Sequence, residues 1–315
     1  MKTLYIIGNG FDRAHGLETS YWDFRTYLKD NAEEFLENLE HIYGFYPIND
    51  DHLFSASALE AANKARDALL YNKLWETFEY GLGHPDESDI ESTCYAAIDA
   101  MKDIEFGGIE DTLNQYFEKQ FKFIEKLQTY LFDWVLQISV DKAKIMRDFN
   151  DDDLFLTFNY TPVLEKIYQI DSSQICHIHG GIPPYCLVPP QIGHGNKKPI
   201  EQREKWIKEC VDLYDEGGAS LNRAFANFYK RTLKDTDRYL NTNKHFFNKA
   251  GDMDEVQIIG HSLGEVDMPY FRKLPDDIPW TVFYRDNNDK DTFEKRIREI
   301  GATNITVKTS DEFWK

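Results

Sequence analysis

The sequence predicts an α/β fold built on a parallel sheet, and three observations predict it. Short apolar runs of strand length recur far apart in the chain, at Leu4–Ile7, Leu154–Phe158, Ile175–Ile178 and Val256–Ile259. Each ends in glycine or a polar residue followed by a turn, the pattern of a strand buried on both faces. Stretches of helical periodicity separate the runs, a short one between Leu154–Phe158 and Ile175–Ile178 and longer ones elsewhere, as crossover connections between parallel strands require.

The first element is the run Thr3–Ile7, which passes into Gly8-Asn9-Gly10-Phe11-Asp12. Glycine tolerates positive φ and carries no Cβ, so the chain can turn sharply and approach a ligand or another backbone closely. A helix beginning here would direct free N–H groups toward a phosphate. From about Ser20 to Asn150 the spacing is helical, with a stripe at Phe117, Phe121, Ile124, Leu127, Leu131 and Trp134. Such a stripe reads as core. Tyr43–His52 and Gly81–Asp89 are broken by glycine, proline and acidic residues and read as loops. Two strand ends follow, Thr157-Phe158-Asn159-Tyr160-Thr161 and His177-Ile178-His179-Gly180. Trp206, Cys210 and Leu213, then Leu221, Phe225, Phe228 and Tyr229, mark further helices. The fourth strand ends in Gly260-His261-Ser262-Leu263-Gly264; Trp280–Tyr284, Asp291–Ile300 and Asn304–Val307 complete the series as strand, helix and strand. The division this implies is a discontinuous Rossmann-like nucleotide-binding domain over 1–30 and 151–315, a helical insertion over 31–150, and a smaller one over 197–250.

Composition narrows the function. The 315 residues hold 36 basic and 55 acidic side chains, a net charge of −19. Such a surface repels a phosphate backbone, so nucleic acid is not an expected partner. No apolar run reaches the roughly 20 residues that span a bilayer, and the first is too short for a signal-peptide core, which makes a cytoplasmic address and no membrane partner the expectation. Cys94, Cys176, Cys186 and Cys210 form no close pair. They give no zinc-ribbon spacing, and no metal is expected.

Ligands of parallel α/β sheets sit at the carboxyl ends of the strands. Asn159 and His179 occupy two such ends, as candidates to hold a ribose or water and to accept a proton. The plain alternatives are an Asx-turn asparagine and a structural histidine. Alternation along a strand would put His177 and His179 on one face. Asp12 suits a helix N-cap, and equally a ribose hydroxyl or a water. His15 reads as a helix-surface histidine. Gly260–Gly264 matches the G-x-S-x-G elbow of serine hydrolases, yet His261 is the last histidine, so the required acid-then-histidine order after Ser262 is absent.

Taken together, these motifs resemble the sirtuin-like NAD-binding superfamily. Sirtuins open with a glycine-rich turn, a glycine-proline segment and Phe-Arg; here Gly8-Asn9-Gly10 is followed by Gly16-Leu17 and Phe24-Arg25. Their strand-end asparagine, His-Gly and Gly-Thr-Ser motifs fall in the same order as Asn159, His179-Gly180 and Gly260-His261-Ser262. The N-terminal signature Ile7-Gly8-Asn9-Gly10-Phe11-Asp12, with His15-Gly16-Leu17, Thr19, Tyr21 and Asp23-Phe24, is similar to the AbiH-like family of bacterial phage-defence proteins. The resemblance implies hydrolysis of NAD, as substrate, to nicotinamide and ADP-ribose in abortive infection. It implies Asn159 and His179 as catalytic residues, and Gly8, Asn9, Gly10, Phe11, Asp12, Gly260, Ser262 and Asp267 as nucleotide-binding residues. The implied partners are NAD or a related nucleotide, a phage-derived trigger or partner subunit, and further copies of the chain. The missing four-cysteine zinc module argues against protein deacetylation. The rival reading is a catalytically inactive nucleotide-sensing or protein-binding module.

Overall fold

The computed structural model describes residues 1–46, 48, 55–88, 91–92, 126–285 and 290–315. Its contacts divide into two compact units. One is Met1–Ser20 with Leu131–Gln191 and Asp235–Lys315; the other is Tyr21–Tyr130 with Ile192–Lys234. The segment assigned above to a separate smaller insertion thus groups, over 192–234, with the long helical segment, and residues 235–250 group with the sheet.

The first unit holds a six-stranded parallel sheet: β1 (Thr3–Ile7), β2 (Leu154–Thr157), β3 (Ile175–His177), β4 (Glu255–Ile259), β5 (Trp280–Tyr284) and β6 (Ile305–Thr309). The order is β3-β2-β1-β4-β5-β6. This is the strand order of the Rossmann fold, and its direction reverses at β1, which pairs β2 on one side and β4 on the other. All five residues of β1 are buried. Alternation divides them: Leu4 and Ile6 join Leu156, Val256, Ile258 and Val282 in one core, while Tyr5 and Ile7 join Phe155, Ile259 and Phe283 in another. Layers on both faces are what a near-continuous apolar strand needs.

Gly8 caps the helix that follows β1, α1 (Asn9–Ala14). Here the glycines bring two backbones together. Gly8 N–H donates to Ile259 O at 3.0 Å and Gly10 N–H to Gly260 O at 2.8 Å. A Cβ on Gly10 would lie 2.6 Å from Gly260 Cα, and one on Gly8 2.5 Å from Gly260 O. Gly260 has φ +70°, and its Cβ would lie 2.3 Å from Phe11 N. The β1–α1 turn is therefore seated directly on the turn after β4.

The third strand stops at His177, and Ile178 and His179 form a turn. The last strand and helix fall within two residues of expectation, at Ile305–Thr309 and Lys290–Glu299.

The described residues of the second unit are mainly helical. Tyr21–Asn31, Glu33–Ile42 and Ala56–Leu70 come first, the last running into a π-helical turn at Tyr71–Trp75, then Phe78–Leu82. Gly81, expected in a loop, lies in that last helix. Lys198–Asp212 and Glu216–Thr232 pack as a pair, as the aromatic spacing anticipates. Charges buried here are paired: Glu40 accepts from Arg25 Nε at 2.6 Å, Arg66 at 3.0 Å and Trp75 Nε1 at 3.1 Å. Residues 126–130 of this unit are helical, with Leu127 buried, and the helix continues through 131–137 of the first unit, where Leu131 and Trp134 are buried; Phe117, Phe121 and Ile124 lie outside the described residues.

The glycine seat gives a direct expectation. Gly260→Ala adds a Cβ against a backbone nitrogen at a positive-φ position, so it should cost at least the 1–3 kcal/mol or so of an overpacked core. Gly16 also has positive φ but meets nothing within 4 Å, so Gly16→Ala should lose about 1 kcal/mol from strain alone. Urea unfolding of the two variants measures the difference.

Candidate functional site

The carboxyl ends of β1 to β4 bring together two clusters of polar side chains. The first is centred on Asp12, the fourth residue of α1. Its carboxylate is not a cap, since Gly8 holds that position. Instead it is 2 % exposed and accepts from Asn159 Nδ2 at 2.8 Å and Thr161 Oγ1 at 2.5 Å. Burial pushes the Asp12 carboxyl up to about 7, opposed by the Thr161 and Asn159 hydrogen bonds and by nearby His177. Asn159 Nδ2 also donates to Gly8 O at 3.2 Å. Both amide hydrogens are therefore spent inside the protein, and Oδ1 is the atom left to accept from a ligand or water.

His177 extends this cluster. Its Nδ1 faces Asn159 O at 3.2 Å and its Nε2 faces Glu165 Oε1 at 2.7 Å. Glu165 comes from the short helix Val163–Lys166 after the β2 turn.

The second cluster is two imidazoles on one carboxylate. Asp267 Oδ1 lies 3.2 Å from His179 Nε2 and Asp267 Oδ2 lies 3.3 Å from His261 Nε2. Leu263 N–H donates to His261 Nδ1 at 2.9 Å. That bond places the His261 proton on Nε2, facing Asp267. Phe158 lies edge-on to both rings, with centroids 5.0 Å from His179 and 4.2 Å from His261. Asp267 ends a single 3-10 turn, Glu265–Asp267, and is itself buried. The histidines His177 and His179 thus take different acids. Strand alternation does not reach His179, because the turn after β3 intervenes.

The remaining candidates have separate places. Asn9 Oδ1 accepts from Thr19 Oγ1 at 2.5 Å. Phe11 is fully buried against His15, Tyr168 and Trp314, with its N–H donated to Gly8 O at 2.9 Å. His15 is buried as well, its ring bonded to Phe11 O and Tyr168, and burial lowers its pKa. Gly10 and Ser262 are exposed. Ser262 lacks the features of a nucleophile elbow: the positive φ values fall at Gly260 and Leu263, and among the described residues its hydroxyl makes no hydrogen bond to a histidine. Thr161, Glu165 and the role of His261 were not anticipated. Thr161 carried one signal, its place two residues beyond Asn159 in the same strand-end turn.

The family model for bacteriophage abortive infection AbiH matches residues 4–284. The chain belongs to the AbiH family. The match spans β1 to β5 and so every residue of both clusters, and it carries the role of phage defence by abortive infection. No curated protein and no solved structure matches the chain. Among the described residues of this AbiH-family protein, no helix is long and apolar enough to cross a membrane.

Asp12 gives the site a measurable pH signature. Its folded pKa, about 7, lies above the ordinary carboxylate value near 4. Between these pH values the unfolded chain gives up a proton that the folded chain keeps, so this contribution to stability is full below about pH 4 and is lost as pH rises to about 7. Asp12→Asn removes the titration. The stability difference between wild type and variant, from urea unfolding at several pH values, should move against wild type across that window and level off above it.

Proposed function

We propose that this AbiH-family protein hydrolyses NAD to nicotinamide and ADP-ribose, with the dinucleotide at the switch point between β1 and β4. The observation that carries the reading is the juxtaposition of the Gly8–Gly10 and Gly260 turns where the strand order reverses, with Asn159 and His179 at the next two strand ends. Crevices at such reversals are the ordinary binding place of open α/β sheets.

In this reading the cationic nicotinamide is already a good leaving group. The C–N glycosidic bond breaks with its electron pair going to nicotinamide, and water forms the new C–O bond and gives up a proton. The protein supplies position and electrostatics. Asn159 Oδ1, held by the two hydrogen bonds of its amide group, accepts from a ribose hydroxyl or the attacking water. The Asp267 carboxylate, with Oδ1 3.2 Å from His179 Nε2, stabilises the imidazolium once the proton has arrived. His261 braces the other oxygen of the same carboxylate. Asp12 holds Asn159 in place. Ser262 and the exposed backbone at Gly10 would meet the nucleotide's ribose and phosphates. The protein would act in the cytoplasm and be restrained until infection, by a phage-derived trigger, a partner subunit or self-association, because NAD loss harms the host.

Release of nicotinamide by the purified chain, followed chromatographically, tests the proposal. His179→Ala should lower turnover on the order of 10²–10⁴-fold, the usual range for a general base, and Asp267→Asn should also lower turnover while leaving nucleotide binding intact. Full turnover by a folded His179→Ala protein would remove His179 from the mechanism. A fluorophosphonate should leave Ser262 unlabelled; stoichiometric labelling there would instead support a serine hydrolase.

A further inference from the structure

Away from the strand ends, a cavity of about 420 Å³ lies along the free edge of the sheet. Its floor is β3 itself, Ile175, Cys176 and His177, and its walls are Tyr185–Val188 on one side and the helices Thr236–Thr242 and Lys244–Ala250 on the other. Its charge is out of keeping with the chain. The protein carries 55 acidic residues and a net charge of −19, yet no carboxylate lines this cavity, while Arg238, His245 and Lys249 all do. The three are exposed, and among the described residues none of them forms an ion pair. They stand on two consecutive helices. Tyr185, Leu187, Val188 and Phe246 add apolar and aromatic surface to the lining, and Tyr239 is held there by its hydroxyl, which donates to Gln191 Oε1 at 3.0 Å.

We propose that this cavity is a second ligand site, for a phosphate-bearing small molecule of mononucleotide size. The volume lies within the range of small-molecule sites, whose usual construction is an apolar body with a few convergent polar groups. A guanidinium, an ammonium and an imidazole on one rim suit a dianionic phosphate, with the guanidinium able to bind two of its oxygens at once. The tyrosines and aliphatic residues suit a planar or apolar remainder. A cationic rim on a strongly acidic protein also concentrates anions where the rest of the surface repels them. The site is independent of the NAD reading, since none of its lining residues except His177 belongs to the strand-end clusters. Through His177, which lies 3.2 Å from Asn159 O, the cavity floor is also attached to the candidate active site.

Titration calorimetry of the intact protein with AMP, adenosine and inorganic phosphate tests the proposal. AMP should bind saturably, and adenosine at least tenfold more weakly. The double variant Arg238→Glu/Lys249→Glu should weaken AMP by roughly tenfold or more, the loss expected when charged hydrogen bonds are removed. Lys244→Glu, a single charge reversal on the helix that carries Lys249 but outside the cavity, should stay within about twofold of wild type. A location readout that needs no variant is alkylation of Cys186, which lines the cavity: AMP should slow it and leave Cys210 unaffected. No saturable binding of AMP, equal binding by the double variant and Lys244→Glu, or unprotected Cys186 at saturating AMP would each overturn the proposal. Loss of NAD hydrolysis in His179→Ala would leave these results unchanged, so the two readings fail separately.

Discussion

Contact between two backbone turns, with no side chain between them, is the constraint on which the sheet unit depends. Gly10 donates to Gly260 O, and the hydrogens of Gly8, Gly10 and Gly260 occupy the space that any Cβ would need. That seat locks the start of α1 to the turn after β4 across more than 240 residues of sequence. It fixes where Asp12 points, since Asp12 lies two residues beyond Gly10, and where His261 points, since it follows Gly260. The two polar clusters therefore inherit their geometry from the same glycine contact. A glycine-rich turn of this kind is commonly read as a phosphate cradle; here its observed close approach is to protein backbone.

This contact also accounts for the Gly260–Gly264 motif without a nucleophile. Gly260 is needed for its φ and for the room it leaves to Phe11 N. His261 turns inward to Asp267, and Leu263 is fully buried in the core while its N–H fixes the His261 tautomer. Ser262 is left outside, its backbone oxygen taken by Arg296 at 2.8 Å. A five-residue pattern shared with serine hydrolases thus arises from packing and from an aspartate six residues further on. Letter-for-letter likeness at an exposed turn says little until the side-chain directions are known.

The parallel sheet was legible because strands buried on both faces, such as Leu4–Ile7 and Val256–Ile259, are too apolar and too short for anything else, and each ends in a residue that can turn. Asn159 and His179 were candidates by their position at strand ends, and Asp267 only through the resemblance. Their pairing was not legible. Asp267 meets His179 because one 3-10 turn returns the chain toward β3, and nothing in local spacing encodes that return. Asp12 looked like a cap because it follows a glycine turn, but the close seating of α1 moves the cap to Gly8 and buries the carboxylate beside Asn159. The grouping of 192–234 with the long helical segment was hidden for a similar reason, because helix periodicity reports which face is buried but not against what. Partly buried pairs such as Arg203 with Glu87 decide that, and they join residues 116 apart.

The central claim is that the nucleotide lies at the reversal of strand order, over the glycine seat and between the two polar clusters. The most direct measurement is a crystal structure of the His179→Ala protein soaked with NAD, a variant in which the substrate should persist. The account predicts the pyrophosphate over the exposed backbone at Gly10 and the nicotinamide ribose within hydrogen-bonding distance of Asn159 Oδ1. NAD bound elsewhere on the protein, with the strand ends occupied only by solvent at saturating concentration, would contradict it.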